Sequence, residues 1–140
     1  MITFVDLKTP RVIREAAILT NLYVAAIVLG DEAISKSNVQ LYNQLMLDLT
    51  IVKGSLTSIE IKVEFSPDNT NWYQESVEEI DEGIATLRPL VHSIPAADLA
   101  TTQKIRIPIQ INDRYIKISF KGTGTVTDSS VSATAQLGVN

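Results

Sequence analysis

Ser58–Tyr73 reads SIEIKVEFSPDNTNWY, and its first eight residues decide the fold class. Ile59, Ile61, Val63 and Phe65 alternate with Glu60, Lys62 and Glu64. Side chains of an extended chain leave on alternating faces, so this spacing builds one apolar and one charged face. That is the signature of a strand half-buried against a core. Pro67-Asp68-Asn69-Thr70-Asn71 then ends the strand: Pro presets φ, and Asp and Asn side chains bond nearby backbone in place of a ladder.

The same period of two recurs outward from this stretch. Ile105, Ile107, Ile109 and Ile111 alternate with Arg106, Pro108 and Gln110, and Ile116, Ile118 and Phe120 with Tyr115, Lys117 and Ser119. Val131, Ala133, Ala135 and Leu137 alternate with Ser132, Thr134 and Gln136, and Leu45, Leu47, Leu49 and Ile51 with Met46, Asp48, Thr50 and Val52. Leu22 to Leu29 is almost continuously apolar and reads as a strand buried on both faces. Lys53-Gly54-Ser55 and Gly122-Thr123-Gly124 punctuate the pattern, and Asn112-Asp113 reads as a tight hairpin turn. Pro108 cannot donate to a ladder, which puts its strand at an edge or a bulge. Helix is scarce: about two turns over Pro10–Leu19 and about one over Pro95–Ala100 fit the sequence. About seven or eight short strands predict an all-β, antiparallel β-sandwich of jelly-roll or immunoglobulin-like type. The expected organisation is an N-terminal arm over residues 1–19 and a sandwich domain over 20–140. Between Glu75 and Ala100 the pattern lapses into one long excursion, carrying Glu75, Glu78, Glu79, Asp81 and Glu82.

Composition narrows function by exclusion. The chain has 140 residues, the size of one domain, and 45% of them are hydrophobic. Its formal net charge is −4, the wrong sign for gripping a nucleic-acid backbone, so no nucleic-acid partner is expected. With no Cys and a single His, thiolate and His-rich metal sites and Cys nucleophiles have no residues to use. His92-Ser93 is a poor base–nucleophile pair, because strand neighbours face opposite ways. Gly122-Thr123-Gly124-Thr125 lacks the Gly-Lys-Ser/Thr of a phosphate loop. The acidic run at 75–82 reads as a solvated loop rather than a calcium site. The apolar stretch Ala16–Leu29 is too short to span a bilayer, and Asp6 and Glu15 interrupt the basic residues before it, against a signal peptide. The expectation is a non-enzyme with no cofactor, no metal and no membrane partner.

The strand and turn of Ser58–Tyr73 resemble the S-x-D-G-x-x-W-Y hairpin of small β-sandwich structural proteins in tailed-bacteriophage virions. Asn69 stands where a Gly commonly follows the Asp, and Asn also tolerates the left-handed conformation. Leu45–Ser55, ending in a Lys-Gly turn, and Arg114–Gly124, followed by a Ser/Thr/Ala-rich last strand, extend the likeness over about half of the chain. The resemblance implies a virion protein, assembled in the host cytoplasm, of the capsid decoration (cement) or head accessory kind. Its partners would be the major capsid protein or other virion subunits, and a homotrimer would suit the threefold positions of a shell. In that setting Ile2, Phe4, Val5 and Leu7 of the arm would bury apolar area on a neighbour, and Lys8, Arg11 and Arg14 would pair with acidic capsid surface. The alternative is a carbohydrate-binding, receptor-binding module of a tail or fibre, with Trp72 and Tyr73, helped by Tyr42 or Tyr115, stacking on sugar rings. Burial of Trp72 at the end of the core is the expectation that opposes it.

Overall fold

The alternating segments form strands. The computed structural model describes residues 11–29 and 43–138. Its strands are β1 (Arg11–Ala17), β2 (Val24–Leu29), β3 (Gln44–Val52), β4 (Leu56–Ser66), β5 (Tyr73–Gln74), β6 (Ser76–Asp81), β7 (Ile84–Pro89), β8 (His92–Pro95), β9 (Thr102–Gln110), β10 (Tyr115–Gly124) and β11 (Ser130–Gly138). One sheet runs β1-β11-β3-β9, and the other runs β2-β10-β4 with both β5 and β8 on the far side of β4. Every pairing is antiparallel.

β8 pairs with Ser58–Ile61 and β5 with Glu64–Phe65, so the two are halves of one interrupted edge strand. Counting them as one gives eight strand positions, ordered 1-8-3-6 in one sheet and 2-7-4-5 in the other. This is the jelly roll, in which every consecutive pair of strands except 4 and 5 is split between two packed sheets. Of the two sandwich types the sequence allows, the topology selects this one.

The apolar faces meet as the alternation requires. Leu45, Leu47, Leu49 and Ile51 of β3 and Val131, Ala133 and Ala135 of β11 face Ile59, Ile61, Val63 and Phe65 of β4 and Ile116, Ile118 and Phe120 of β10. Burying one such Leu, Ile or Phe fully contributes roughly 1.5–3 kcal/mol, so this face-to-face layer dominates stability. Pro108 lies on β9, which is an edge strand.

Several local expectations are corrected. The helix expected over Pro10–Leu19 does not form across its described part: Arg11–Ala17 is a strand, paired with β11 at Arg11↔Ala135 and Val12↔Thr134. Ile13 and Leu19 are buried in the sandwich, and Gly122 N–H donates to the Thr20 carbonyl at 2.8 Å. The boundary expected at 19/20 therefore does not separate arm from sandwich, because residues 11–19 supply a ladder and two core side chains. Leu22–Leu29 is not buried throughout; Leu22 and Val24 are exposed, and the strand starts at Val24 on a sheet edge. Asn112-Asp113 is no hairpin: it carries the chain from β9 in one sheet to β10 in the other. Turn composition marks a reversal but does not distinguish a ladder partner from a crossing between sheets. Near Pro95–Ala100 the expected turn is present, as a single 3-10 turn at Ala96–Asp98, where the Lys53 ammonium donates to the Leu99 carbonyl at 2.8 Å.

Candidate interaction surface

The charged face of β4 and β10 looks outward. Lys121 pairs with Glu60 at 3.1 Å, Lys117 with Glu64 at 3.8 Å and Lys62 with Glu64 at 3.6 Å. Tyr23, just before β2, lies over this grid: the Lys62 ammonium sits 4.6 Å from its ring centre and that of Lys121 5.3 Å. Its hydroxyl donates to Glu60 at 3.5 Å, and burial, with Glu60 next in line, raises its pKa. Such half-buried surface pairs each contribute modestly to stability, and their main effect is to occupy the cations of this face.

The turn after β4 is built around Asp68. Its carboxylate accepts from the amides of Asn71 (2.8 Å) and Thr70 (2.9 Å), from the Asn71 side chain (2.7 Å) and from the Ser66 hydroxyl (3.0 Å). The Asn71 and Thr70 amides together hold this carboxyl well below the usual carboxylate range. Asn69 takes φ 60°, the left-handed conformation for which Asn substitutes for Gly. The turn delivers Trp72 onto the charged face, half-buried, with the Lys117 ammonium 4.5 Å from its ring centre. Trp72 thus covers the outer surface of the sheet rather than an end of the core. Tyr73 pairs with Phe65, whose side chain turns inward, so the Tyr73 ring leaves on that same face, opposite to the one Trp72 covers. It is exposed, but it shares no platform with Trp72. Tyr42 lies outside the described residues.

The excursion at 75–100 is ordered as strands, with β6 and β7 forming a separate two-stranded ribbon inserted into the interrupted edge strand. Glu82 and Gly83 join them with φ 50° and 79°, the pair of positive φ values that a two-residue type I′ turn requires. Its base is closed: Leu90 N–H donates to the Glu75 carbonyl at 2.7 Å, and the Gln74 side chain donates to the Leu90 carbonyl at 2.8 Å. The Asn112 side-chain amide bonds the Glu75 carboxylate, and Arg88 pairs with Glu79 across the ribbon. One face carries Glu78, Ile80, Ala85 and Leu87, the other Val77, Glu79, Asp81, Ile84 and Arg88. Ile80, Ile84 and Leu87 are 73%, 68% and 67% exposed. Alternation separates Glu78 from Glu79, and among the described residues no cluster of His, Asp or Glu is arranged to hold a metal ion. Sequence reading missed the ribbon because both of its faces mix charge with apolar side chains, which erases the period of two. The remaining signal was Glu82-Gly83 between two β-rich runs, weaker than Asn-Gly or Asp-Gly.

His92, on β8, lines a pocket of about 170 Å³ at the ribbon's base, together with Val63, Phe65, Glu75, Leu90 and Pro108. Of the arm residues, Ile2, Phe4, Val5, Leu7 and Lys8 lie outside the described residues, and Arg11 begins β1. Arg14 spends its guanidinium within its own chain. Its Nε donates to the Val131 carbonyl at 3.1 Å and its Nη2 to those of Ala17 (3.2 Å) and Ile18 (3.1 Å). It also sits 5.7 Å from the Phe120 ring centre, and burial lowers its pKa. That geometry clasps β1 to β11 and leaves little for a neighbour.

No protein-family model and no curated protein matches the sequence. Among solved structures, the SPBc2 prophage-derived protein YomS is similar along its whole length: 18% identity over 99% of this chain and 97% of that one, with a TM-score of 0.50. The VP2 subviral particle of infectious bursal disease virus matches 99% of this chain and 34% of its own at 12% identity and a TM-score of 0.43. A carbohydrate-binding module specific for non-crystalline cellulose matches 85% of this chain and 62% of its own at 14% identity and a TM-score of 0.35. The end-to-end likeness to the prophage-derived protein is a likeness of fold.

Proposed function

We propose that this chain is a non-enzymatic virion structural protein of the capsid decoration or head accessory kind, which stabilises a particle by binding capsid subunits. The observation that carries the reading is the jelly roll shared end to end with a prophage-derived protein of nearly equal extent. The surface agrees with it, since a ribbon with three exposed large aliphatic residues is a feature of a molecule that works in contact with others. In this reading Ile2, Phe4, Val5, Leu7 and Lys8 still act as an arm on a neighbouring subunit, while residues from Arg11 onward hold that arm to the sandwich. A homotrimer matches the threefold positions of a shell and multiplies weak contacts through effective concentration. The virion is then its place of work, after assembly in the host cytoplasm.

The test is co-sedimentation with capsids assembled from the shell protein encoded beside it, with the solution mass measured in parallel. Saturable binding at a fixed ratio to shell subunits, and a higher temperature of shell disruption, are expected. Loss of that binding on deleting Met1–Thr9 assigns the arm; unchanged binding and mass remove it. No binding of the intact chain overturns the reading. The glycan alternative requires rings that share a face. Trp72 and Tyr73 do not, and Lys117 already occupies one side of the Trp72 ring.

A further inference from the structure

We propose that the β6–β7 ribbon is a docking arm whose occupant is a basic protein surface with an apolar centre. The inference deepens the reading above: it rests on it for the existence of a protein partner, and adds where that partner sits and by what chemistry.

Three observations carry it. The first is exposure without a structural role. Ile80, Ile84 and Leu87 are about two-thirds or more exposed, on a ribbon that belongs to neither sheet of the sandwich. A lone two-stranded ribbon is marginal in water and leaves the outer backbone groups of both strands open to a further strand. The second is charge. Residues 75–89 hold five carboxylates and one guanidinium, a net −4, which is the whole formal net charge of the chain; the other eleven acidic and eleven basic residues balance. The third is that, among the described residues, most cations outside the ribbon are already engaged within the chain. Lys62, Lys117, Lys121 and Arg106 are in ion pairs, and Arg14 and Lys53 bond backbone carbonyls of their own chain.

Together these select the occupant. Nucleic acid and anionic membrane carry the same sign as the ribbon and are repelled. A second copy's ribbon is repelled for the same reason, and a second copy's body carries no net charge to draw the ribbon in. A surface rich in Lys or Arg around an aliphatic patch satisfies both halves of the ribbon, its carboxylates and its Ile and Leu side chains. Charge would steer the encounter, and the aliphatic contacts would set the lifetime of the complex.

The closed base supplies the control. Leu90 N–H already bonds the Glu75 carbonyl at 2.7 Å, so replacing residues 76–89 with Gly-Gly bridges a gap that the fold has already closed. The probe is a labelled peptide alternating Lys with Val, with a Glu–Val peptide as control, read by fluorescence anisotropy at increasing salt. Capsid co-sedimentation and sedimentation velocity run in parallel. The Lys peptide is expected to bind the intact chain and to weaken as salt rises. It should weaken about tenfold or more with Ile80→Ser plus Leu87→Ser or with Glu78→Lys plus Asp81→Lys, and be lost on excision while the excised protein still melts cooperatively. Equal binding of the Glu peptide, binding that survives excision, or self-association that depends on the ribbon each overturns the proposal. Capsid binding that ignores the ribbon also overturns it but leaves the broader reading standing. Ribbon-dependent peptide binding without capsid binding does the reverse. An excised protein that no longer folds shows the ribbon to be structural and overturns it as well.

Discussion

A Cβ on Gly54 would meet the Asp128 side chain at 2.6 Å and its backbone carbonyl closer still. The residue also sits at φ 50°, in the left-handed region. Both restrictions come from one arrangement: the β3–β4 crossing is tied to the segment before β11, with Ser55 donating to Asp128 from its amide (2.9 Å) and its hydroxyl (2.6 Å). Gly54→Ala should therefore cost about 1–3 kcal/mol, from backbone strain plus displacement of Asp128, measured as a lower urea midpoint at unchanged slope. Asp128, Asp68 and Asp48 share a further property: hydrogen bonds from the Ser55 hydroxyl, from the Asn71 and Thr70 amides, and from Arg106 lower their pKa values. A carboxyl whose folded pKa lies below its unfolded value of about 3.9 stabilises fully above that value. Its contribution fades as pH falls through the folded pKa. Melting temperature should thus be flat near neutrality and decline below about pH 4. Asp68→Ala should flatten that acid limb; an unchanged acid limb in the variant would show that the Asp68 turn contributes nothing to it.

At the scale of elements, the ribbon turn offers a clean perturbation. Glu82 occupies a left-handed position that Asn fills more readily, so Glu82→Asn should stabilise the ribbon by a few tenths to about 1 kcal/mol. The change should appear as slower amide hydrogen exchange in β6 and β7 and nowhere in the sandwich. The ribbon also marks where the sequence stopped being legible. β3, β4, β9, β10 and β11 announce themselves because one face is buried and one is not, which forces the period of two: Leu45 to Ile51 and Ile59 to Phe65 repeat it without a break. β6 and β7 face solvent on both sides, so no burial constraint writes a pattern into Ser76–Pro89. β1 hid for another reason. Its ladder with β11 has register shifts between Val12 and Arg14 and again between Arg14 and Ala17, and each shift breaks alternation. The candidate surface was partly legible: Asp68, Asn69 and Trp72 were visible as a turn and its following aromatic. Lys117 over Trp72, and Tyr23 over Lys62 and Lys121, are meetings of distant residues that only the sheet brings about.

Over the whole molecule, the jelly roll makes stability collective. Ile61 and Phe120 are fully or almost fully buried and face each other as ladder partners on β4 and β10. Ile61→Ala should cost about 2–5 kcal/mol and Phe120→Ala about 3–5 kcal/mol, as shifts of a single cooperative transition. Because the two touch, the double variant should fall short of or exceed their sum by a measurable coupling. The charge distribution is equally global. The native chain has a pI near 4.9, whereas a variant lacking residues 76–89 retains Glu75 as its single excess carboxylate and should focus near neutrality. A focusing point still near 5 would mean that the ribbon does not set the molecule's charge. The hydrogen bond that closes the ribbon's base has one more consequence, for what the lineage of this chain can try out. A loop whose two ends already meet can be lengthened, shortened or exchanged without re-solving the core. A foreign peptide spliced between Glu82 and Gly83 should accordingly leave the melting of the sandwich unchanged even as it breaks the turn and the docking face it holds.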